Sequence, residues 1–161
     1  LGALVGAAER ADQLAAGYEQ RLAKISSTPR RAKKPKVYFE EWDDPLISGI
    51  GWVSELIEIA GGEDVLPKLR FQQAAKDRII PPDVVRAAAP DVILASWCGK
   101  KVVADRIRQR PGWNEIPAVR DDRIVEIKSP LILQPGPAAL TDGLDAIVKA
   151  LWPASAGSGG K

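Results

Sequence analysis

The chain contains no histidine. That removes the commonest general base and the commonest transition-metal ligand together. It has one cysteine, Cys98, so no internal disulfide forms, and a chain without bridges fits either side of a membrane. No run reaches the roughly 18 consecutive apolar residues that a bilayer span requires. Neither sign of charge dominates: 23 basic and 21 acidic residues are mostly interspersed and leave a net charge of +2, too small to argue for nucleic acid or a membrane surface as a partner. Phosphate loop, nucleophile elbow and zinc spacing are all absent. The chain opens Leu1-Gly2-Ala3-Leu4, without methionine and already in a helical pattern, and it reads as a fragment.

What is present fits one globular domain. The 161 residues are 45% hydrophobic and 27% charged, enough to bury a single core. The organising stretch is residues 37–64, VYFEEWDDPLISGIGWVSELIEIAGGED. It predicts a short strand over 37–39, then a polar loop in which Glu40, Glu41, Asp43 and Asp44 surround Trp42 and Pro45 stops the ladder. After Ser48, Trp52, Val53, Leu56, Ile57 and Ala60 recur at helical spacing, and Gly61-Gly62 supplies a left-handed exit. In an open α/β sheet, ligands sit at the carboxyl ends of the strands, where this loop falls.

Upstream, Leu1, Leu4, Val5, Ala8, Leu14, Tyr18, Leu22 and Ile25 predict a helix of about 25 residues, roughly 37 Å long. The domain plan is therefore a long helix over 1–27, a basic linker over 28–36, an α/β lobe over 37–153 and a disordered glycine-rich tail over 154–161. Within the lobe, residues 91–96 (DVILAS) form a continuous apolar run, as in a parallel strand covered on both faces. Short helices follow Pro82 and cover about 103–109. Residues 116–119 and 123–127 flank the turn signal Asp121-Asp122 as a hairpin. The last helix starts near Pro137 and carries Leu140, Leu144, Ile147, Val148 and Leu151 on one face.

Three strand-to-helix loops, EEWDDP, SWCGKK and KSPLILQPG, converge on one edge of the sheet. They offer indoles, carboxylates, a thiol, a hydroxyl and an amide, a surface suited to a ligand with apolar faces and polar edges. Bland readings stand beside this one. Trp42 and Trp97 fit core or rim packing equally well. The acidic cluster lacks calcium-loop spacing and reads as a solvated turn rather than a hard-cation site. Cys98 has no histidine to activate it and reads as an inert thiol. Gly49-Ile50-Gly51 matches only part of a dinucleotide fingerprint.

Taken together, the chain resembles the carboxyl-terminal lobe of a class III periplasmic-type substrate-binding protein, the ABC-transporter receptors for cobalamin and ferric siderophores. Four features carry the resemblance in the family's order: the long opening helix, residues 37–64 ending in Gly-Gly-Glu, the Pro-Asp strand APDVILAS, and PGWNEIPAVRDDRIVEI before the last cleft loop and helix. The resemblance implies a three-layer, Rossmann-like α/β lobe with a mainly parallel sheet, preceded by a long inter-lobe helix. EEWDDPLISG, SWCGKK and LILQPGP look most like the cobalamin-binding branch, with a ferric siderophore or haem as the alternative ligand.

The same resemblance implies capture of a corrinoid and delivery to an ABC permease, from a periplasmic or cell-surface site, with no catalysis, no cofactor and no resident metal. By position, Glu41, Trp42 and Asp43 would face ligand from the first cleft loop, Trp97 and Cys98 from the second, and Gln134 from the third. Ile50 takes the family's acidic permease-docking position, and Glu55 is the nearest helix acid. The amino-terminal lobe is missing from this reading, so weak ligand binding and self-association through Leu4, Val5, Ala8 and Leu14 are expected. A metal-dependent α/β enzyme using the acidic loop, and an interaction module dimerising through the long helix, are the competing classes.

Overall fold

The computed structural model describes residues 2–30 and 33–153. Leu1, which opens the expected helix, and the tail 154–161 lie outside the described residues. The first helix is shorter than its periodicity predicts. Residues Gly2–Val5 form a single tight turn, Gly6 takes a left-handed φ of 70°, and the helix proper, α1, runs Ala8–Ser26. At 1.5 Å per residue its 19 residues span about 28 Å. Glycine breaks the helix because it alone adopts positive φ without steric cost. None of the α1 side chains is buried; Tyr18, Leu22 and Ile25 are half-buried, whereas Leu4 (85% exposed), Val5 (76%) and Leu14 (55%) face solvent.

The sheet is built on β1 (Lys36–Asp43), which returns on itself as β2 (Leu46–Ser48) through a cis Asp44-Pro45 bond. The expected acidic loop is thus the second half of a strand. Its register pairs Glu40 with Ser48, Trp42 with Ile47 and Asp43 with Leu46, leaving Glu41 in a bulge. Pro45 does end the strand, but at the turn and not at Phe39. Three acids pass through a strand here because each meets a cation brought from elsewhere in the chain, as described below.

Helix α2 (Gly51–Ile59) follows and exits through Gly61, whose φ is 86°, as the Gly-Gly signal predicts. The next strand, β3 (Glu63–Asp64), lies parallel to the start of β1. After two tight turns come α3 (Pro82–Ala88) and β4 (Val92–Ala95), then α4 (Ala104–Arg108), α5 (Pro117–Arg120) and β5 (Ile124–Glu126). Both β1 with β4 and β4 with β5 are parallel, giving the order β2-β1-β4-β5 with β3 beside β1. The expected hairpin around Asp121-Asp122 does not form: Pro117 opens a helical turn, and the chain reverses so that β5 joins in parallel. A short helix, α6 (Ser129–Ile132), and a wide turn over Ala139–Gly143 lead into α7 (Leu144–Leu151).

Alternation along β1 and β4 divides the core. Val37, Phe39, Val92 and Leu94 meet α2 and α7 through Leu56, Ile57, Leu144 and Ile147. Tyr38, Ile93 and Ala95 point the other way, onto Val85, Ile107, Trp113 and Ile116. The result is the expected three-layer α/β lobe with a mostly parallel sheet. Gly143 ties the last cleft loop to this core, since a Cβ there would collide with the carbonyl of Leu131.

Tyr38 is a weak point of that packing. Its hydroxyl is buried without a hydrogen-bond partner, and burial, then the nearby charge of Glu40, push its ionisation well above 10.0. The folded protein therefore keeps this proton where the unfolded chain loses it, so stability is retained below pH 10.0 and falls as the pH rises beyond it. Tyr38→Phe is expected to leave stability at pH 7 unchanged or raise it by about 1 kcal/mol, and to flatten the alkaline fall. Urea unfolding at neutral and alkaline pH measures both effects.

Candidate functional site

The strand order reverses between β1 and β4: from β1 the chain builds β2 and β3 on one side, and then β4 and β5 on the other. A crevice opens at the carboxyl ends of parallel strands at such a point. It is bordered here by Glu40–Asp43 from β1, by Ser96–Lys100 after β4, and by Glu126–Ser129 after β5.

Three carboxylates from β1 are each neutralised. Glu40 is fully buried; its Oε1 accepts the Trp97 indole N–H at 3.0 Å, and Arg110 donates to both of its oxygens at 2.5 and 2.9 Å. Glu41 receives the buried Arg78 at 2.6 and 3.1 Å. Arg78 also donates to the carbonyl of Ser48, which binds the hairpin to the segment before α3. Asp43 accepts from Lys100 at 2.5 Å and from Arg106 at 3.1 Å. Burial alone would push the Asp43 carboxyl up, but the hydrogen bond and charge of Lys100, a backbone amide and Arg106 together hold it below its ordinary value. The acidic cluster is therefore not a solvated turn. Three of its four carboxylates are committed to cations, and Asp44 alone stands exposed at the hairpin tip.

The two indoles separate in role. Trp97 is 1% exposed, with its N–H on Glu40, so it forms part of the floor and does not stand at the surface. Trp42 is half-buried, donates to the Asp44 carbonyl at 2.9 Å, and carries the Lys100 ammonium 4.1 Å from its ring centroid. That ammonium also lies 5.0 Å from the Trp97 centroid. Cation–π attraction and the Asp43 ion pair thus fix one lysine over the aromatic surface. Cys98 is exposed beside it, and Gln134 is exposed in the loop after α6. Gly99, Lys100, Lys101, Glu126, Lys128, Ser129 and Pro130 line a cavity of about 560 Å³ between the second and third loops.

Glu55 lies elsewhere. It is exposed on α2 and borders an apolar cavity of about 450 Å³ formed with Tyr18 and Leu22 of α1, Trp52 of α2 and the 135–140 segment. The cations that organise the crevice, Arg78, Lys100, Arg106 and Arg110, were not among the candidate residues. The available signal was the acid-rich strand itself, which requires counter-charges once its neighbours are apolar.

The lobe thus presents an ordered polar and aromatic surface at the sheet's switch point, where open α/β sheets place their ligands. The family model for periplasmic binding proteins matches residues 1–131, and the chain belongs to that family, in the class III group of ABC-transporter substrate-binding proteins. The chain is 24% identical, over 95% of its length, to the uncharacterized ABC transporter substrate-binding lipoprotein YvrC of Bacillus subtilis (strain 168), of which it covers 48%. The periplasmic heme-binding protein RhuT from Roseiflexus sp. RS-1 superposes with a TM-score of 0.72 at 28% identity, over 93% of this chain and 60% of that one. An ABC transporter substrate-binding protein from Listeria monocytogenes EGD-e gives a TM-score of 0.77 at 20% identity, over 94% and 60%. The chain thus spans about half to three fifths of the length of these relatives. Its family consists of solute-binding proteins and not of enzymes.

Proposed function

We propose that this chain is the carboxyl-terminal lobe, with the inter-lobe helix, of the solute receptor of an ABC importer. It captures a tetrapyrrole between this lobe and a second one and passes it to a membrane permease. The observation that carries this reading is Trp42, half-buried at the switch point with its indole held by the Asp44 carbonyl and its ring under Lys100. A rigid indole of this kind suits the flat face of a macrocycle, which displaces the Lys100 ammonium. Cobalamin is the ligand proposed from the cleft loops. Haem is the second reading, supported by the 28% identity to a heme-binding protein.

The receptor works outside the cytoplasmic membrane, as a periplasmic or surface-anchored protein, a placement supported by the lipoprotein relative. Glu55, exposed beside the apolar cavity, is the proposed permease contact. The second lobe covers the solvent-facing side of α1 and of the turn before it, where Leu14 and then Leu4 and Val5 are exposed. Without that cover, sedimentation of the isolated chain is expected to show a mass that rises with concentration, and Leu14→Glu to abolish the rise.

Calorimetric titration of cobalamin, haem and a ferric hydroxamate into the complete receptor tests the ligand class. One tetrapyrrole is expected to bind saturably, with Trp42→Ala weakening it about tenfold. Saturable binding of the hydroxamate alone would remove the tetrapyrrole assignment, and indifference to Trp42→Ala would remove the site.

A further inference from the structure

Lys100 lies across the surface proposed for the ligand. Its ammonium is 4.1 Å from the Trp42 ring centroid, 5.0 Å from that of Trp97 and 2.5 Å from Asp43. The loop that carries it is a tight turn: the Lys100 backbone N–H donates to the Trp97 carbonyl at 3.2 Å, and Gly99 reverses the chain with a φ of 74°. The side chain therefore folds back over the indole at the start of its own loop and reaches the hairpin beyond it. Trp42 in turn packs against the Tyr38 side of the core and is anchored by its N–H on the Asp44 carbonyl, so the ring is fixed and the lysine is its movable cover.

Two features let the lysine leave this seat. Its side chain is 37% exposed, so the ammonium moves into water without crossing the core. Asp43, with a side chain only 7% exposed, keeps Arg106 at 3.1 Å when Lys100 goes, so no buried carboxylate is stranded and the hairpin stays intact. No better seat lies nearby. In the cavity of about 560 Å³ that Lys100 also lines, Lys101 and Lys128 outnumber Glu126, one oxygen of which already accepts the Val102 N–H. With the site empty the ammonium therefore rests on the indoles, and whatever stacks on Trp42 must first move it. Cation–π attraction and a partly exposed ion pair are each modest, so moving it lowers affinity by a limited factor and does not block the site. Resting on the receptor reading above, we infer that Lys100 is an internal occupant of the ligand site, which covers the aromatic surface of the empty receptor and opposes every ligand that displaces it. The effect on selection is a threshold. A macrocycle extends past Trp42 to the surrounding loops and recovers more contact than the lysine gives up, whereas a single small ring covers only what the lysine covered already.

The test uses two macrocycles without carboxylates, cobalamin and haem dimethyl ester, so that the displaced ammonium gains no partner on the ligand, and haem as the control. Each is titrated into the complete receptor and into its Lys100→Ala and Lys100→Arg variants. The expected result is that a carboxylate-free macrocycle binds about 3- to 30-fold more tightly to Lys100→Ala than to the wild type. Lys100→Arg, which stacks on the indoles and pairs with Asp43, returns the affinity to the wild-type level or below it. Salt weakens the Lys100–Asp43 pair, so the gap between wild type and Lys100→Ala narrows as salt is added. A second measurement needs no substitution at Lys100. The ring currents of the indoles shift the Lys100 ε-methylene protons upfield in the NMR spectrum of the empty receptor, and Trp42→Ala removes most of that shift. Unshifted protons, or binding to Lys100→Ala that is equal to or weaker than wild type, overturn the inference and leave the receptor reading standing. Binding of haem alone also overturns it, because the ligand's charge and not the release of Lys100 then decides affinity. Failure of all three macrocycles to bind either wild type or Lys100→Ala removes the receptor reading itself, and this inference with it.

Discussion

Replacing Glu40 with alanine is expected to lower the unfolding free energy by about 3–5 kcal/mol, the usual loss when one partner of a buried ion pair is removed. Glu40 is fully buried, and Arg110, its partner, is only 14% exposed in its side chain. Deleting the carboxylate strands a guanidinium and also removes the acceptor of the Trp97 indole N–H. Glu40→Gln keeps an acceptor for Trp97 but leaves Arg110 without a counter-charge, and should fall between. Urea unfolding with an unchanged m-value reads both variants. A loss under about 1 kcal/mol for the alanine variant would mean that desolvation already offsets the pair in the wild type.

Trp113→Ala should cost a comparable amount, about 3–5 kcal/mol, from the void left by a fully buried indole. Trp113 packs edge-on against Tyr38, with ring centroids 6.3 Å apart, and the Arg110 guanidinium lies 4.5 Å from its centroid. It therefore holds the arginine that neutralises Glu40. Its own indole N–H has no partner, so Trp113→Phe gives up no hydrogen bond and should lose clearly less than alanine. Because both substitutions act through Arg110, the Glu40→Ala/Trp113→Ala double variant should be less destabilised than the sum of the singles, by about 0.5–3 kcal/mol. Additive losses would show that Trp113 supports the core without positioning Arg110.

The parts of this fold that were legible in the sequence are those whose pattern is local. Val92-Ile93-Leu94-Ala95 is apolar throughout because β4 is covered on both faces, and the stripe of Leu144, Ile147 and Leu151 is regular because α7 has one buried side. Gly61 marked its helix end because the turn needs a positive φ. The hairpin of β1 and β2 was hidden for the opposite reason. Its first strand carries three acids, and the groups that make this tolerable lie 37 to 70 residues away in Arg78, Lys100 and Arg110. The direction of β5 was hidden too. Alternation reveals a strand, but whether it joins in parallel depends on the helical turn that Pro117 inserts before it. At the site, Trp42 was identifiable as an aromatic at a strand end, whereas the burial of Trp97 depends on the Glu40 acceptor fixed by tertiary structure.

Helix α1, with no buried side chain, and strand β1, paired on both edges, stand at opposite ends of a scale of local opening. Amide hydrogens in the first turns of α1 should exchange with solvent through fraying that leaves the sheet intact, and those at the centre of β1 only when the whole lobe unfolds. The ordering carries over to recognition. A partner that covers α1 slows exchange there without touching the crevice, whereas a ligand seated at the switch point leaves α1 as open as before, so the two kinds of contact can be read apart residue by residue in one exchange experiment.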